Sequence, residues 1–323
     1  MIGLGGVARL AHLPGFAHPL AAPRLEIVAS VDPAPSATPV EGIPLLRDTR
    51  ELATLGPIDF VDICTPTSSH LPLTLWALEQ GYHVLCEKPV ALSAAEAVRI
   101  RDAARAAGRI VMPCHQYRFN PAWLALKQAL DDGAIGRWHL AEFYVYRLAA
   151  DVGAARSAEP WRGQAADARG GVLLDHGTHL IYELLDVAGP PVALRSWLGR
   201  LLHQDYTVED SAQLLFEYPG RVGVMLLTWA ARRRDNVIRF VGDRGMIEWV
   251  GGQLVLERDG QVETRDFSAQ LDKASYAGWF AALFSAFAAA IDSGDGARHL
   301  ADIADVAAVL EAAYRTPAPS AAG

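Results

Sequence analysis

Apolar and polar positions in the first third of the chain follow two alternating rhythms. Short apolar runs at residues 25–31, 59–65, 82–86 and 110–114 are typical of buried strands, and helical patterns occupy residues 71–80 and 94–107. Ser93, with Glu96 three residues later, predicts a capping box, and Gly108 predicts the end of that helix. This alternation predicts βαβ units and therefore an α/β fold with a Rossmann-type, doubly wound parallel sheet.

Beyond residue 120 the pattern changes to one dominated by strands. Asn120 and Pro121 predict a helix start, and that helix is expected to stop near Gly133. Pro219-Gly220 and Gly251-Gly252 predict hairpin turns between neighbouring strands. The predicted strands are residues 138–147, 193–200, 212–218, 222–229, 236–241, 246–250 and 254–257, followed by Ala-rich helices at 276–291 and 301–314.

These patterns predict two domains. Residues 1–118 are interpreted as a dinucleotide-binding domain, and residues 119–323 as a substrate-binding and oligomerisation domain. The second domain is expected to be α+β, with a large, mainly antiparallel open sheet that has helices on one face.

Composition narrows the possible partners and the compartment. Of 323 residues, 51% are hydrophobic and the net charge is −8, which argues against nucleic acid as the main partner. We find no window of 18 residues apolar enough to span a bilayer and no signal peptide, so we expect no membrane partner and a cytoplasmic protein. The three cysteines lack a CxxC spacing and are expected to be small buried side chains, with no metal site.

A glycine-rich turn opens the chain. Gly3, Gly5 and Ala8 match the G-x-G-x-x-G/A pattern, in which the backbone approaches a pyrophosphate closely and a helix N-terminus follows. Asp32 closes the next predicted strand, at the position that hydrogen-bonds an adenosine ribose. Because a 2′-phosphate would meet this carboxylate, and no arginine lies in residues 32–40, NAD is favoured over NADP. The predicted cofactor contacts of this turn are Gly3, Gly5, Gly6, Val7 and Ala8.

The fingerprint normally follows a strand, yet only Met1 and Ile2 precede Gly3. We therefore expect a stunted first strand and a native protein that begins several residues upstream.

Polar residues end two further predicted strands at the edge where ligands of such sheets bind. Thr65, Pro66, Ser68 and His70 are predicted to contact the cofactor, while a serine of this turn is also expected to cap the following helix. Glu87 and Lys88 follow the next strand; Pro89 directs the lysine, and Glu87 is expected to position the chain and contact the cofactor.

Asp175 and His179 are spaced one helical turn apart and share a face if the segment is helical. Two interpretations compete for this pair and the neighbouring His176: a metal site and a proton relay. No HExxH-type pattern supplies a zinc site, so the relay is favoured.

These residues resemble the Gfo/Idh/MocA oxidoreductases over nearly the whole chain. The most diagnostic stretch runs through Cys64-Thr65-Pro66 and His70 to Glu87-Lys88-Pro89. Further similarity lies in Trp161-Arg162, in Gly170-Gly171 through Asp175 to His179, and in Val208-Glu209-Asp210.

The resemblance implies NAD-dependent oxidation or reduction of a secondary alcohol on a sugar, cyclitol or aminosugar-like substrate. It also implies a homodimer or homotetramer formed through the C-terminal sheet. Carried over by motif, Lys88 binds the reacting oxygen, Asp175 binds substrate and orients the imidazole, and His179 is the acid/base. The predicted substrate contacts are Lys88, Arg118, Trp161, Asp175, His176 and His179.

One departure from the family pattern concerns Tyr182, which stands where members commonly have an aspartate three residues after the histidine. His176 and Tyr182 are expected either to alter specificity or simply to pack. Two other functions stay open: an NAD-dependent glycoside hydrolase that acts by transient oxidation, and a non-catalytic nicotinamide-sensing regulator.

Overall fold

A computed structural model describes residues 1–150, 163–164 and 168–315. The chain divides into two compact units. The first comprises Met1–Gln116 and Tyr276–Ala307, and the second comprises the other described residues from Tyr117 to Ser275 and from Ala308 onward. The first unit ends at Gln116 before the chain enters the second, close to the predicted boundary at 118. We expected residues 119–323 to form one domain, but the segment Tyr276–Ala307 belongs to the first unit.

The first unit contains parallel strands. Strands β3, β4 and β5 form one parallel ladder and β1 and β2 another. Ile2 makes single parallel bridges to Val31 and Ile63, so the first strand of the sheet is one bridging residue. The strands are β1 (Ser30–Val31), β2 (Leu45–Leu46), β3 (Phe60–Ile63), β4 (His83–Cys86) and β5 (Val111–Pro113).

The first unit also contains helices and short helical turns. A π-helical turn, Ala8–His12, leads into α1 (Leu13–Ala17), and α2 (His70–Glu79), α3 (Ala94–Ala107) and α6 (Tyr276–Ser293) follow along the chain. Ser93 caps α3 as predicted, since its Oγ accepts from Glu96 N–H, and Gly108 ends the helix at φ 63°. The predicted capping box is only half formed, because the Glu96 carboxylate accepts from Leu92 N–H. Short 3-10 turns occupy Thr49–Thr54 and Thr67–Ser69.

The sequence predicts that a serine caps α2 through a side-chain hydrogen bond, and this prediction is wrong. Ser69 occupies the N-cap position but makes no capping hydrogen bond. Its hydroxyl instead lies 2.8 Å from both Thr65 Oγ1 and Pro66 O, because the preceding 3-10 turn brings those oxygens within reach.

Helix α6 explains why the C-terminal segment joins the first unit. The Phe284 ring stacks on Phe16 of α1 at a centroid distance of 3.9 Å, and Phe280 lies 4.5 Å from the His12 ring. Among the described residues, α6 alone has the length and composition of a membrane span, which contradicts the expectation that no such window exists. Its apolar face packs inside the unit, as in the core helix of a globular domain.

The second unit is built on one eight-stranded sheet. Its order is β13-β12-β11-β10-β6-β9-β8-β7, and all neighbours are antiparallel except β6 and β9. Both predicted hairpins are present, at Pro219-Gly220 and Gly251-Gly252. The strands are β6 (Trp138–Tyr146), β7 (Ala193–Gly199), β8 (Ser211–Tyr218), β9 (Arg221–Thr228), β10 (Asp235–Gly242), β11 (Gly245–Val250), β12 (Gln253–Arg258) and β13 (Gln261–Asp266).

The second unit also contains helices, and one of them carries the predicted acid/base His179. Helix α4 (Pro121–Asp131) begins as predicted, with Asn120 Oδ1 accepting from Ala122 N–H at 2.9 Å. A π-helical turn, Leu173–Gly177, leads directly into α5 (Thr178–Ala188). The last helix, α7 (Ala297–Arg315), continues past Ala307, where the division between the units falls.

Close packing fixes α5 against the sheet. A Cβ added at Gly177 would stand 2.8 Å from Leu227 Cδ1 of β9, and one added at Gly223 would stand 3.0 Å from Leu184 Cδ2 of α5. Small residues at both positions therefore let the helix approach the strand closely. This contact fixes the helix that carries His179.

Candidate active site

The glycine turn is built as a phosphate-binding turn requires. Gly3 has φ 92°, and a Cβ there would stand 2.8 Å from the Cys64 carbonyl oxygen, so only glycine fits. At Gly5, which is exposed, an added Cβ would meet no described atom within 4 Å apart from its chain neighbours, so the backbone is open to close approach. Gly6 and Val7 are half-buried, and Ala8 is buried against the unit.

Asp32 lies beside this turn. Its Oδ2 accepts from Leu4 N–H and its Oδ1 from Ala34 N–H, each at 2.9 Å. A carboxylate oxygen can accept more than one hydrogen bond, so Asp32 keeps the capacity to accept from ribose hydroxyls. The arrangement fits the dinucleotide role expected of the turn.

Two arginines flank the loop after Asp32, and neither was found from the sequence. Arg47 Nη1 donates to the carbonyls of Asp32 and Ala34, and the Arg9 side chain donates to Leu4 O and Thr38 O. Both arginines lie outside residues 32–40 in the sequence, and the fold brings them to this loop.

The residues of the turn after β3 that are predicted to contact the cofactor differ in exposure. Pro66 and Ser68 are exposed and Thr65 is half-buried, so these three are accessible. His70 is buried, with Nδ1 2.8 Å from Pro89 O and Nε2 2.8 Å from Thr65 O, and burial lowers its pKa. His70 therefore holds together the two chain segments that follow β3 and β4.

Glu87 and Lys88 follow β4. The Glu87 side chain is buried, and its Oε2 accepts from Lys88 N–H at 3.1 Å. Its Oε1 lies 3.0 Å from His12 Nε2, so the carboxylate predicted to contact cofactor is hydrogen-bonded inside the unit. Lys88 is half-buried, and its peptide bond to Pro89 is cis.

His12 joins these pieces in a cluster that sequence reasoning missed. Its Nδ1 lies 2.9 Å from Asp62 Oδ2 and its Nε2 faces Glu87, with the imidazole and the Asp62 side chain both fully buried. Burial alone would lower the pKa of His12, but the Asp62 carboxylate raises it well above the usual value. A buried imidazolium therefore links the helix after the glycine turn to β3 and to the segment that carries Lys88.

The ligand atoms in this cluster are close enough for a metal ion. They form two groups, His12 with Asp62 and Cys64, and His12 with Glu87 and Cys114. Both imidazole nitrogens, however, face carboxylates, as expected for a doubly protonated ring. Burial also raises the pKa of the Cys64 thiol to about 12, so in the metal-free protein this sulfur is protonated. We interpret the cluster as an ion-pair network.

In the second unit, Glu209 supports the segment that leads to Asp175. Its Oε1 accepts from Gly171 N–H at 2.9 Å, from Leu173 N–H at 3.2 Å and from the Tyr314 hydroxyl at 2.7 Å. A Cβ added at Gly171 would stand 1.9 Å from Glu209 O, which explains the glycine there. Asp210, the next residue, accepts backbone N–H donors from Leu201, Leu202 and His203, each at 2.8 Å.

The segment containing Asp175 and His176 lies against β9. Asp175 Oδ2 is 3.4 Å from His176 Nδ1, and that nitrogen lies 3.3 Å from Trp229 Nε1. Both side chains are partly exposed, at 22% for Asp175 and 18% for His176, so both are accessible to a ligand.

His179 lies in the first turn of α5 between two tyrosines. Its Nδ1 is 2.9 Å from the Tyr182 hydroxyl, and the Tyr117 ring stacks on the imidazole at 4.2 Å with an interplanar angle of 12°. Tyr182 is fully buried and also accepts a hydrogen bond from Tyr117 N–H at 3.1 Å. The sequence marked Tyr182 as a departure but did not identify it as the hydrogen-bonding partner of His179.

Arg118 extends this cluster. Its Nη2 donates to Tyr182 O at 3.1 Å, and its Nε lies 3.9 Å from Asp186 Oδ1. Trp161, the remaining predicted substrate contact, lies outside the described residues. Of the predicted catalytic residues, Lys88 belongs to the first unit, and Asp175 and His179 belong to the second.

A glycine turn on parallel strands, with an aspartate that accepts backbone N–H donors beside it, defines a Rossmann-type dinucleotide-binding domain. Residues 1–115 match the model of an oxidoreductase family with an NAD-binding Rossmann fold, and residues 123–248 match the GFO/IDH/MocA C-terminal domain. The chain belongs to the Gfo/Idh/MocA family of oxidoreductases.

Known relatives agree with this assignment. The chain is 25% identical to the uncharacterized oxidoreductase YdgJ of Escherichia coli strain K12 over 245 residues, which cover 76% of this chain and 68% of YdgJ. It is 27% identical to levoglucosan dehydrogenase of Pseudarthrobacter phenanthrenivorans over 257 residues, covering 71% of this chain and 63% of the relative. The matched region thus spans about two thirds of the length of these proteins.

The fold is shared with solved structures. An oxidoreductase from Agrobacterium radiobacter, in complex with NAD⁺, L-tartaric acid and magnesium, superposes with a TM-score of 0.83 at 22% identity. The superposition covers 97% of this chain and 94% of that one, so the likeness includes both units.

Proposed function

We propose that this protein is an NAD-dependent dehydrogenase or reductase that acts on a secondary alcohol of a sugar, cyclitol or aminosugar-like substrate. The observation that carries the proposal is the fixed imidazole of His179. Its Nδ1 is hydrogen-bonded to Tyr182 and its ring is stacked on Tyr117, at the end of the Asp175–His179 segment that resembles the family motif. A ring held in this way exchanges a proton with substrate through Nε2.

The first unit supplies features that fit the cofactor. The open backbone at Gly5 fits a pyrophosphate, and the Asp32 carboxylate fits the ribose hydroxyls. When bound, NAD accepts a hydride from the carbinol carbon of the substrate. Thr65, Pro66 and Ser68 extend the same strand edge and are proposed to contact the cofactor.

We assign proton transfer, charge stabilisation and substrate binding to three side chains. His179 Nε2 removes the hydroxyl proton during oxidation and returns it during reduction. By its place in the family motif, Lys88 is assigned the binding of the reacting oxygen and the stabilisation of the negative charge that develops on it. Asp175 binds a neighbouring substrate hydroxyl, and we assign further substrate contacts to His176, Arg118 and Trp161.

The substrate class is supported by the relatives. Levoglucosan dehydrogenase is named for a sugar-derived substrate, and the Agrobacterium radiobacter oxidoreductase was solved with L-tartaric acid, a small polyhydroxy acid. Substrates of this kind present adjacent oxygens that Asp175 and His176 can bind. We also propose a homodimer or homotetramer formed through the eight-stranded sheet, which light scattering on the purified protein would test.

A screen for nicotinamide reduction tests the proposal. Sugars, inositols, aminosugars and sugar acids are offered with NAD and with NADP, and NADH or NADPH is followed by absorbance. We expect turnover with at least one polyol, and Lys88→Met and His179→Gln should lower kcat by roughly 10²–10⁴-fold. The matched controls in the second unit are Lys127→Met, at a half-buried position, and His139→Gln, at an exposed one, and both should retain activity.

Other outcomes would overturn the proposal. Tight NAD binding without turnover of any substrate would favour the nicotinamide-sensing regulator. Release of a sugar from a glycoside without net NADH formation would favour the hydrolase.

A further inference from the structure

We propose that Glu87 is a positioning residue for Lys88, held in place by His12, rather than a contact to the cofactor. This inference rests on the proposed function of Lys88 and deepens it. The family motif assigns a role to the lysine, whereas in the structure the preceding glutamate holds the Lys88 backbone through a hydrogen bond.

The buried Glu87 carboxylate has a different partner at each oxygen. Oε2 accepts from Lys88 N–H at 3.1 Å, and the direction of this bond is fixed because a backbone N–H can only donate. Oε1 lies 3.0 Å from His12 Nε2. The side chain therefore bridges the imidazole of His12 and the peptide of Lys88.

His12 anchors this bridge inside the first unit. Its side chain is fully buried, and its Nδ1 lies 2.9 Å from Asp62 Oδ2. The Phe280 ring packs against the imidazole at a centroid distance of 4.5 Å. His12 ends the helical turn that follows the glycine-rich turn, and Asp62 belongs to β3. The position of Glu87 is therefore set by contacts that reach it from other elements of the unit.

A second contact lies on the other side of Lys88. The carbonyl oxygen of Pro89 is 2.8 Å from Nδ1 of the buried His70. The segment is thus held before the lysine by Glu87 and after it by His70. Because the His70 contact remains when Glu87 is replaced, we expect the segment to loosen without being released, and activity to fall without being abolished.

The test compares Glu87→Ala with Glu87→Gln on a substrate found in the screen above. Alanine removes both contacts, and we expect kcat to fall roughly 10- to 100-fold with the KM for NAD unchanged, because misplacement of a catalytic group acts on the transition state. Glutamine keeps an oxygen for Lys88 N–H, and its amide can donate to His12 Nε2 once that nitrogen releases its proton. Glu87→Gln should therefore keep most of the activity.

A double-mutant cycle separates positioning from a general loss of stability. In the Lys88→Met background no ammonium group is left to position, so Glu87→Ala should cost little further activity. A role independent of Lys88 would give the same fold loss in both backgrounds. Leu52→Ala is the matched control, because Leu52 is buried in the core of the same unit. It should lower the melting midpoint and leave kcat per folded molecule unchanged.

Acetylation of Lys88 gives a readout that needs no substrate. Sulfosuccinimidyl acetate modifies accessible lysines, and mass spectrometry follows the rate at Lys88 against Lys127 of the second unit as the internal reference. We expect Glu87→Ala to raise the rate at Lys88 several-fold. Glu87→Gln and Leu52→Ala should leave this rate unchanged.

The inference is overturned if Glu87→Ala keeps the wild-type kcat or the wild-type rate of acetylation at Lys88. It is also overturned if the kcat loss is equal in both backgrounds, or if Glu87→Ala raises the KM for NAD, as the loss of a direct cofactor contact would. Full activity in Lys88→Met would instead refute the role proposed for Lys88 itself, so the two failures are distinguishable.

Discussion

His12 offers the sharpest test of how the first unit is held together. Replacing it with Asn leaves two carboxylates, of Asp62 and Glu87, buried without the imidazolium that lies 2.9 and 3.0 Å from them. Breaking a buried ion pair by removing one partner costs about 3–5 kcal/mol. For a unit of this size, that loss lowers the melting midpoint by roughly 6–20 °C.

The assay is thermal and urea unfolding of the full chain, followed by circular dichroism, for His12→Asn, Asp62→Asn and the double variant. Because both single changes break the same pair, we expect the double variant to lose less stability than the two singles together. Arg50→Ala is the control, since the Arg50–Asp48 pair is exposed and its loss should leave the midpoint unchanged.

The pH dependence of stability gives a second readout of the same cluster. The pKa of His12 is raised in the folded state, so its stabilisation is complete below the unfolded value near 6.5 and is lost as pH rises through the folded value. Wild type should therefore lose stability toward alkaline pH more steeply than His12→Asn. Equal midpoints for the two proteins, or fully additive losses in the double variant, would refute the ion-pair interpretation.

Further predictions concern the cofactor turn and the support of the second unit. Asp32→Ala should weaken NAD binding roughly 10- to 100-fold and shift the preference toward NADP, as measured by titration with both nucleotides; unchanged preference would contradict the role of Asp32. Gly171→Ala should lower the melting midpoint, because its Cβ would stand 1.9 Å from Glu209 O, whereas Gly278→Ala, with open space around it, should not. Iodoacetamide should leave Cys64 unmodified in the folded protein near neutral pH, since burial raises the pKa of this thiol to about 12; rapid labelling followed by mass spectrometry would contradict this.

Elements with a strong periodic pattern were predictable from the sequence. Strands β6, β8 and β9 alternate buried and half-buried positions, and Ser93 and Asn120 begin their helices as predicted. Strand β13 was missed because all its residues are exposed, so no apolar alternation marks it. The predicted strand 25–31 was too long, since Ser30 and Val31 alone pair with β2.

Features that depend on contacts distant in the sequence were not predictable. The apolar pattern of α6 indicates a helix but not which unit it joins, and that choice depends on its contacts with Phe16 and His12. His12 and Glu87 are 75 residues apart, and nothing local marks either as an ion-pair partner. Tyr182 is only three residues from His179, but it also accepts from the Tyr117 backbone, which the fold brings from 65 residues away.

Isotope transfer tests the central claim most directly. A substrate identified in the screen is deuterated at the carbinol carbon, incubated with the protein and NAD, and the nucleotide is analysed by mass spectrometry. Direct hydride transfer predicts one deuterium in each NADH formed, with none released to water. Deuterium appearing in water, or a product formed while the nucleotide stays oxidised and unlabelled, would contradict it.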